Sequence, residues 1–432
     1  MLSRFWIALI LAGLVPQAGA LTADERALVA AIDASNDRAL ALIERVVNIN
    51  SGTMNFAGVR EVGAVFRTEL DALGFTTEWV DGAPFGRAGH LVAEHRGTGP
   101  RILLIGHLDT VFERDSPFQK FERVGPTAAK GPGITDMKGG NVVMLQALKA
   151  LQTTGLLKSM NIAVVMTGDE ESAGRPLASS RAALVKAAQG ADVAIGFEDG
   201  DGNPATAVIA RRGTSNWELR VTGKPAHSSQ IFNAENGYGA VFEAARILNT
   251  FREKLAGQPH LTFNPGVILG GTSVEFDAPA SRGTGFGKSN VIAEHTVVAG
   301  DLRALSQEQF AAAKKAMEEI VASALARTSA TLTFDDGYPP LAPTPGNERL
   351  LTLYNRASLD VGAGQVVAVD PDKAGAADVS FIAAHARMIL DGVGLMGTGG
   401  HTVNETADLR TLPSMSKRMA VLLARIQRDG AK

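Results

Sequence analysis

Hydrophobic residues recur at helical spacing in the first part of the chain and then in short strand-like runs. A helix is predicted to begin at Thr22, which forms a capping-box pattern with Glu25, and its apolar spacing continues to about Val47. Further predicted elements are a helix over residues 58–73 that stops at Gly74, strands over 75–80, 90–95 and 101–105, a helix over 140–151 and a strand over 161–167. This alternation predicts an α/β fold with a mixed, largely parallel sheet and helices on both faces.

The pattern changes near residue 207, where a second domain is predicted to be inserted into the first. Residues 217–222 alternate between apolar and polar side chains, as in a half-exposed strand. They precede a predicted helix over 236–255, strands over 260–269 and 291–303, a helix over 306–327 and a strand over 330–334, an order typical of a ferredoxin-like α+β unit. The proline-rich stretch 337–346 then returns the chain to the first domain, which ends in a predicted helix over 414–428. We therefore predict a first domain of residues 21–207 and 339–432 and an inserted domain of residues 208–338.

Four apolar runs of the first domain are followed by side chains that can bind metal ions. One run leads into His107 and Asp109, a second into Asp169, Glu170 and Glu171, a third into Glu198, and a fourth, residues 388–396, into His401. Because ligands of open α/β sheets bind beyond the carboxyl ends of the strands, we expect these side chains to converge. Asp136, in a glycine-rich segment, completes the set, although taken alone it could equally be a helix cap. The sequence predicts a hydrolytic site for two metal ions.

The number of candidates matches what two divalent ions require. Such a pair polarises a carbonyl and activates water, and it needs one bridging carboxylate plus a histidine and a carboxylate for each ion. We assign Asp136 as the bridge, His107 with Glu198 to one ion, and Glu171 with His401 to the other. Adjacent carboxylates at 169–171 repel each other unless a cation relieves them. We therefore expect Glu171 to bind metal and Glu170 to act as the general acid and base.

Two assignments depend on neighbouring residues. Asp109 lies two positions after His107, where a carboxylate can orient a ligand imidazole without binding the metal itself. Glu198 is favoured as a ligand because it directly follows an apolar run, but Asp199 and Asp201 remain alternatives. If they are not ligands, these two aspartates are expected in a solvated turn.

Residues 1–20 are predicted to be a secretory signal. Arg4 supplies a positive start, residues 5–15 an apolar core, and residues 18–20 a small-residue cleavage site. A membrane anchor is the alternative, but the apolar run is only about half of the ~20 residues that cross a bilayer. We therefore expect a periplasmic or secreted protein.

Charge and cysteine content limit the partners. The 432 residues include 42 Lys and Arg against 45 Asp and Glu, and loss of residues 1–20 leaves 41 against 45, a net charge of −4. This near-neutral balance argues against binding of nucleic acid or of an anionic membrane. There is no cysteine, so any metal is held by His, Asp and Glu, which accept zinc and also cobalt or manganese.

The motifs and their order resemble the co-catalytic zinc peptidase family that includes glutamate carboxypeptidase of the carboxypeptidase G type, succinyl-diaminopimelate desuccinylase, aminoacylase and carnosinase-like dipeptidases. The resemblance covers nearly the whole chain after residue 20. It implies that the metal and catalytic positions are His107, Asp109, Asp136, Glu170, Glu171, Glu198 and His401. It also implies that the inserted domain is a lid and dimerisation domain, so a homodimer is expected.

The same resemblance suggests residues of the inserted domain that act on the substrate. His227, in the segment 223–228, matches a histidine that stabilises the oxyanion, although a lone loop histidine is more often a surface residue. Asn290 and Arg303 match positions that contact the substrate. A guanidinium suits a free carboxylate, but a surface ion pair explains Arg303 nearly as well. The family often has a Gly-Gly-Thr/Ser-Asp segment near the substrate, whereas residues 373–378 here lack that hydroxyl, so we expect one substrate hydrogen bond to be lost.

These observations lead to a functional expectation. We expect an exported zinc-dependent hydrolase that cleaves an amide bond next to a free carboxylate, as a carboxypeptidase acting on short peptides or N-acyl amino acids. An aminoacylase or desuccinylase with the same site and another acyl preference is the nearest alternative. A two-domain solute-binding protein would also be exported, but it needs no histidines and carboxylates at strand ends. A serine hydrolase is disfavoured because the chain has no Gly-x-Ser-x-Gly motif.

Overall fold

The computed structural model describes residues 19–431, so nearly all of the predicted secretory signal lies outside the described residues. The helices in this part of the chain are α1 Ala23–Val47, α2 Phe56–Ala72, α3 Gly139–Thr153, α4 Leu177–Ser180, α5 Ala182–Ala188, α6 Gly239–Leu255, α7 Gln307–Val321, α8 Pro345–Asp360 and α9 Thr411–Asp429. The strands of the first domain are β1 Thr76–Asp81, β2 Gly89–His95, β3 Arg101–His107, β4 Glu122–Arg123, β5 Ala128–Lys130, β6 Asn161–Thr167, β7 Ala191–Gly196, β8 Thr206–Ala207, β15 Val367–Ala368, β16 Ala386–Leu390, β17 Gly397–Thr398 and β18 Thr406–Asp408. Those of the inserted domain are β9 Gly213–Gly223, β10 Thr262–Gly271, β11 Ser273–Asp277, β12 Arg282–Phe286, β13 His295–Ala304 and β14 Thr328–Asp336. None of the helices found within residues 19–431 is both long and apolar enough to cross a bilayer.

A six-stranded sheet in the order β1-β2-β6-β3-β7-β16 forms the centre of the first domain. The pairs β6–β3, β3–β7 and β7–β16 are parallel, whereas β1–β2 and β2–β6 are antiparallel. Side chains of β3 alternate between two buried layers: Ile102 and Leu104 share a core with α1, α2, α3 and α9, while Leu103 and Ile105 share one with α5. A sheet with two apolar faces needs helices on both sides. The predicted mixed, largely parallel sheet is confirmed.

The inserted domain is built on a separate antiparallel sheet in the order β10-β13-β9-β14. Trp217, Leu219 and Val221 of β9 point into a core shared with α6 and α7, and the residues between them are more exposed. Strand order and helix placement are those of the ferredoxin-like unit expected from the sequence. The hairpin β11–β12 is an addition that the apolar pattern does not predict.

Two segments connect the domains side by side. The backbones of Arg211 and Leu341 exchange hydrogen bonds of 2.9 Å, and Thr214 N donates to Tyr338 O at 2.8 Å. The chain therefore runs with the first domain until just before β9 and rejoins it directly after β14. Backbone hydrogen bonds therefore join the segment that leaves the first domain to the segment that returns to it, at the base of the inserted domain.

The first and last helices are joined through the N-terminal cap of α1. Thr22 Oγ1 accepts a hydrogen bond from Glu25 N at 3.2 Å, and Glu25 Oε2 accepts one from Thr22 N at 2.9 Å, which is the capping box that the sequence predicts. The buried Glu25 carboxylate also accepts a hydrogen bond from Arg425 Nε of α9 at 2.8 Å. One carboxylate thus caps α1 and holds α9 against it.

The predicted helix over 306–327 is too long at its C-terminal end. α7 ends at Val321, after which Leu325 N donates to Glu243 Oε2 at 3.1 Å and Ser323 O accepts from the Arg246 guanidinium. These hydrogen bonds to α6 replace the helical ones that residues 322–327 would otherwise make. Tertiary contacts override the helical pattern here.

The apolar run 388–396 is not a single strand, which corrects the expected placement of His401. β16 ends at Leu390, and Gly392 has a φ of +68°, a conformation that turns the chain out of the sheet. The buried segment that follows leads into β17, which belongs to the small sheet β17-β18-β5-β4. His401 therefore lies in the loop after β17 and not at the end of a strand of the main sheet.

Candidate metal centre

Three neighbouring strands of the main sheet end at one edge with side chains that can bind metal. His107 is the last residue of β3, Glu198 lies two residues beyond β7, and Glu171 lies four residues beyond β6. Because β6, β3 and β7 are adjacent and parallel, their carboxyl ends meet. The sheet itself therefore brings these three residues together.

Asp136 reaches the same edge from the glycine-rich turn ahead of α3. Gly133 has a φ of +72°, and a Cβ on Gly140 would lie 2.0 Å from the carbonyl oxygen of Phe197, which follows β7. Only glycine permits so close an approach of two backbones. The glycines thus let this turn and the start of α3 pack against the segment that follows β7.

The five predicted ligands form two groups that share Asp136. His107 Nε2 lies 2.9 Å from Asp136 Oδ1 and 3.6 Å from Glu198 Oε1. His401 Nε2 lies 2.9 Å from Asp136 Oδ2 and 3.2 Å from Glu171 Oε2. Within each group the possible ligand atoms lie within 4.8 Å of one another. The two oxygens of Asp136 therefore face different histidines, as a bridging carboxylate would.

The donor set fits divalent cations. Two imidazoles and three carboxylates are ligands that zinc, cobalt and manganese accept. Glu171 Oε1 is buried and has no hydrogen-bond partner among residues 19–431. A buried oxygen without a partner costs free energy that a cation would recover.

The electrostatics of this edge also favour a cation. Burial and the neighbouring Asp136 raise the pKa of Glu171 to about 7, and burial with Asp136 and Glu170 raises that of Glu198 well above its usual value. Hydrogen bonds to Asp136 and Glu171 raise the pKa of His401 to about 11. Carboxylates crowded in a buried site stay protonated or keep a histidine charged unless another positive charge is present.

Asp109 connects the ligand His107 with the proposed base. Its carboxylate accepts hydrogen bonds from Glu170 N at 3.0 Å, Glu171 N at 3.1 Å and Thr53 Oγ1 at 2.7 Å. His107 Nδ1 lies 3.5 Å from Asp109 Oδ1 and 3.0 Å from the Asp109 carbonyl oxygen. These acceptors hold the Nδ1 proton, which leaves Nε2 directed at Asp136.

The alternatives to Glu198 lie outside both groups. Asp199 belongs to neither group, and burial with the nearby Asp136 raises its pKa to about 7. Asp201 accepts hydrogen bonds from Thr206 Oγ1 at 2.6 Å and Asn203 N at 3.2 Å within a turn. Of the three acids, Glu198 alone lies within reach of His107.

Asp169 does not join the crowded carboxylates that the sequence predicts. It is buried and forms an ion pair of 2.6 Å with Arg181, so its charge is balanced by a guanidinium and not by a metal. Arg181 also pairs with Asp378 at 2.7 Å, and Asp378 accepts from Thr167 Oγ1 at 2.6 Å. Asp378 is the last residue of the segment expected near the substrate. Its carboxylate is therefore paired with the buried side chains of Arg181 and Thr167.

Sequence reasoning misses Glu405. Its buried carboxylate accepts hydrogen bonds from the backbone N–H groups of Gly133, Thr135 and Asp136 at 3.0, 2.8 and 3.2 Å. It thereby joins the loop of His401 to the turn of Asp136. The only signal in the sequence is an acidic residue four positions after His401.

The predicted substrate residues of the inserted domain lie apart from this edge. His227 is exposed and its Nδ1 lies 2.8 Å from Ser229 Oγ, while Asn290 O accepts a hydrogen bond from Ser228 N at 2.9 Å. Arg303 on β13 pairs with Asp301 at 3.0 Å. Within residues 19–431 none of the three forms a hydrogen bond or ion pair with the first domain.

A sequence model of Peptidase family M20/M25/M40 matches residues 103–426, which is about three quarters of the chain and includes both candidate ligand groups. The chain belongs to this family. It is therefore an M20 peptidase or amidohydrolase, which confirms the resemblance seen in the motifs.

Curated M20 relatives agree with this assignment. Carboxypeptidase G2 of Pseudomonas sp. is 26% identical over 374 residues, which cover 86% of this chain and 85% of that protein. Succinyl-diaminopimelate desuccinylase of Maricaulis maris is 31% identical over 222 residues, which cover 49% of this chain and 55% of that protein. The first match spans both domains, whereas the second spans about half of each protein.

Solved structures show the same fold. Aminopeptidase PepT of Bacillus cereus superimposes with a TM-score of 0.72 at 20% identity, covering 90% of this chain and 98% of that chain. An M20 peptidase of Bacillus subtilis described as binding a dinuclear metal superimposes with a TM-score of 0.64 at 16% identity, covering 92% and 99%. At these identities the likeness establishes the M20 architecture with its inserted domain.

Proposed function

We propose that this M20 hydrolase is an exported zinc-dependent carboxypeptidase that cleaves an amide bond next to a free carboxylate in short peptides or N-acyl amino acids. The main support is the Asp136 carboxylate, whose two oxygens face His107 and His401 separately. A carboxylate between two imidazoles meets the requirement for a ligand shared by two metal ions. The match to carboxypeptidase G2 over most of both chains supports the carboxypeptidase activity.

The proposed chemistry divides between metal ions and one carboxylate. Residues His107, Asp136, Glu171, Glu198 and His401 would hold two divalent ions, which supply polarisation of the substrate carbonyl and lower the pKa of the attacking water. The Glu170 carboxylate has no hydrogen-bond partner among residues 19–431, and burial raises its pKa well above the usual value. It can therefore accept the proton from water and pass it to the leaving amine nitrogen. Asp109 holds the backbone of Glu170 in place for this transfer.

The test is the exchange of Glu170 for Gln, which keeps the size of the side chain and removes its basicity. We expect kcat to fall by a factor of about 100 to 10,000 while the metal content stays at that of the wild type. Glu348→Gln, in the first turn of α8, is the matched control and should retain wild-type turnover. Substantial remaining activity of the Glu170 variant would exclude Glu170 as the proton carrier.

Three residues of the inserted domain are proposed to act on the substrate. His227 would stabilise the oxyanion, and Asn290, on the neighbouring segment, would contact the substrate. Arg303 would bind the free carboxylate through two of its three guanidinium nitrogens. Because none of them forms a hydrogen bond or ion pair with the first domain within residues 19–431, this proposal requires the inserted domain to approach the candidate metal centre. An Arg303→Lys variant with unchanged KM would remove Arg303 from the proposal.

A desuccinylase or aminoacylase preference is the second candidate. It is favoured by the 31% identity to succinyl-diaminopimelate desuccinylase. The two candidates share the metal centre and differ in the acyl group that the inserted domain admits. Rates of the zinc-loaded protein on a panel of dipeptides and N-acyl amino acids separate them.

Export and dimerisation complete the proposal. The secretory pattern of residues 1–20 supports export, and a chain recovered from the producing cell's cytoplasm with Met1 still attached would contradict it.

The inserted domain exposes Phe232, Val241, Phe242 and, on edge strand β10, Ile268, with exposed fractions of 46–57%. An apolar surface beside a free strand edge supports a homodimer. Sedimentation equilibrium at the mass of one chain would exclude it.

A further inference from the structure

Tyr338 lies where the chain returns from the inserted domain, and it is held by both domains. Its backbone N donates to Thr214 Oγ1 at 3.1 Å and its carbonyl accepts from Thr214 N at 2.8 Å, at the start of the inserted sheet. Its ring extends the other way and packs edge-on against Phe381 of the first domain, with ring centroids 4.9 Å apart. Any rotation of the inserted domain about this connection therefore moves the Tyr338 ring.

The phenol of Tyr338 contacts the backbone of the proposed base. Its hydroxyl donates a hydrogen bond of 2.6 Å to the carbonyl oxygen of Glu170, and it accepts one of 2.8 Å from Arg181 Nη2. A guanidinium only donates hydrogen bonds, so the hydroxyl proton must point at Glu170. The Arg181 guanidinium therefore fixes the direction of the hydrogen bond between the Tyr338 hydroxyl and the Glu170 carbonyl oxygen.

Arg181 is itself held rigidly. Its side chain is 1% exposed, and it forms ion pairs of 2.6 Å with Asp169 and 2.7 Å with Asp378. Asp169 directly precedes Glu170 in the chain. Tyr338 thus joins a network with Arg181, Asp169 and Asp378, of which Asp169 directly precedes Glu170.

We propose that Tyr338 is a positioning residue that couples the orientation of the inserted domain to the geometry of Glu170. This inference rests on the proposed function, because it takes Glu170 as the proton carrier. When the connection shifts, the phenol displaces the Glu170 backbone relative to Asp109, which accepts from the Glu170 amide, and relative to Arg181, which donates to the carbonyl oxygen of the preceding Asp169. A displacement of about 1 Å at a reacting group can cost about 100-fold in rate, so a single hydroxyl is sufficient for such coupling.

The test compares Tyr338 with Tyr354, a buried tyrosine of the first domain. Tyr338→Phe keeps the ring contact with Phe381 and removes both hydrogen bonds of the hydroxyl. We expect kcat to fall about tenfold or more, with KM and metal content unchanged, because binding and metal ligands are untouched. Tyr354→Phe, which removes a buried hydroxyl of α8 near Met415 and away from the metal centre, should keep wild-type kcat. An unchanged kcat in the Tyr338 variant, or an equal loss in both, would overturn the proposal.

A double-mutant cycle distinguishes positioning from general support of the fold. If Tyr338 acts through Glu170, the loss caused by Tyr338→Phe should largely disappear in a Glu170→Asp background, where the base is already displaced. Fully additive losses would overturn the coupling. Should Tyr338→Phe fold poorly, Thr214→Val removes the acceptor of Tyr338 N, and its loss of kcat should likewise vanish with Glu170→Asp.

Hydrogen exchange keeps this inference separate from the proposed function. If the wild type shows no metal-dependent hydrolysis, the proposed function fails, but the contact can still be examined. Tyr338→Phe should then speed amide exchange in residues 169–174 relative to wild type, while Tyr354→Phe should not. Unchanged exchange in that segment would contradict a positioning contact whatever the activity.

Discussion

Asp109 serves two sides of the candidate metal centre at once. Burial raises its pKa, but the His107 imidazole, the Thr53 hydroxyl and the Glu170 amide lower it by more, so the carboxylate remains charged. One oxygen receives the amide of Glu170 and the other receives the amide of Glu171. Asp109 therefore holds the backbone of Glu170 and of Glu171 while it faces the imidazole of His107.

Asp109→Asn should weaken metal binding. The amide group of asparagine has one acceptor oxygen, so one of the two backbone N–H groups at 170 and 171 loses its partner, and the charge facing His107 disappears. We expect zinc affinity to fall by about 10- to 100-fold. Competition with a chromogenic chelator measures this directly. Asp115→Asn, an exposed residue of the same loop region, is the control, and equal affinities of the two variants would contradict the role of Asp109.

His107 and Asp109 could be predicted because their spacing is local and both follow an apolar strand. Glu405 could not, because its partners are backbone amides of residues some 270 positions earlier in the chain. The contact of Tyr338 with Glu170 could not be predicted from the sequence for the same reason. A hydrogen bond between a side chain and a distant backbone leaves no pattern in the amino-acid sequence.

The contact between α1 and α9 shows the same mixture of local and distant causes. The α1 cap is local, whereas the carboxylate of Glu25 also binds Arg425 at 2.8 Å and Arg428 at 3.4 Å from the other end of the chain. Burial raises the pKa of Glu25, but these guanidinium groups and the Thr22 amide lower it below its usual value. The charged carboxylate is thus favoured in the folded chain.

Glu25→Gln should destabilise the fold in a pH-dependent way. The single amide oxygen of glutamine can keep the capping box, so the change removes the charge and one of the two acceptor oxygens that face Arg425 and Arg428. We expect a loss of about 1–2 kcal/mol in the free energy of unfolding at pH 7. Because the folded pKa is lowered, the contribution is complete above the unfolded pKa of about 4.3 and is lost as the pH falls through the folded value.

Urea unfolding of the wild type and the variant between pH 3 and pH 7 measures this difference. Glu44→Gln makes the same exchange at an exposed position of α1 and should leave stability within about 0.5 kcal/mol of the wild type. A difference between wild type and Glu25→Gln that grows toward acid pH would contradict the assignment.

The elements that were predicted correctly are those whose pattern is determined by burial on two faces. β3, β6 and β7 are continuous apolar runs because helices cover both sides of the sheet. The run 388–396 is equally apolar, but it is buried as a loop after Gly392, and periodicity does not distinguish these cases. The end of α7 was missed because hydrogen bonds to Glu243 and Arg246 of α6 decide it.

The candidate metal centre forms only when distant segments of the chain are folded together. Its members come from the ends of three strands, the turn before α3 and the loop after β17. Folding therefore concentrates negative charge that the unfolded chain keeps dispersed. In the whole molecule this concentration is a cost of folding, which bound cations would remove.

Metal removal should therefore destabilise the protein more at alkaline than at acid pH. In the folded chain the pKa values of Glu171 and Asp199 are raised to about 7 by burial and by Asp136, and that of His401 is raised to about 11. The folded metal-free chain thus binds more protons than the unfolded chain between about pH 4 and pH 8, so its stability falls as the pH rises. Bound cations offset the same charges and stabilise only the folded state.

Calorimetric melting of the EDTA-treated and the zinc-reloaded protein at pH 5.5 and pH 8 measures this effect. We expect the difference in melting temperature to be about 5 °C or more at pH 8 and clearly smaller at pH 5.5. The Glu171→Gln variant is the control, because it removes one of the titrating carboxylates. In this variant the difference in melting temperature should change less between pH 5.5 and pH 8 than it does in the wild type. A difference that is equal at both pH values would mean that the acidic edge is stabilised without metal, and the two-metal interpretation would then lose its electrostatic basis.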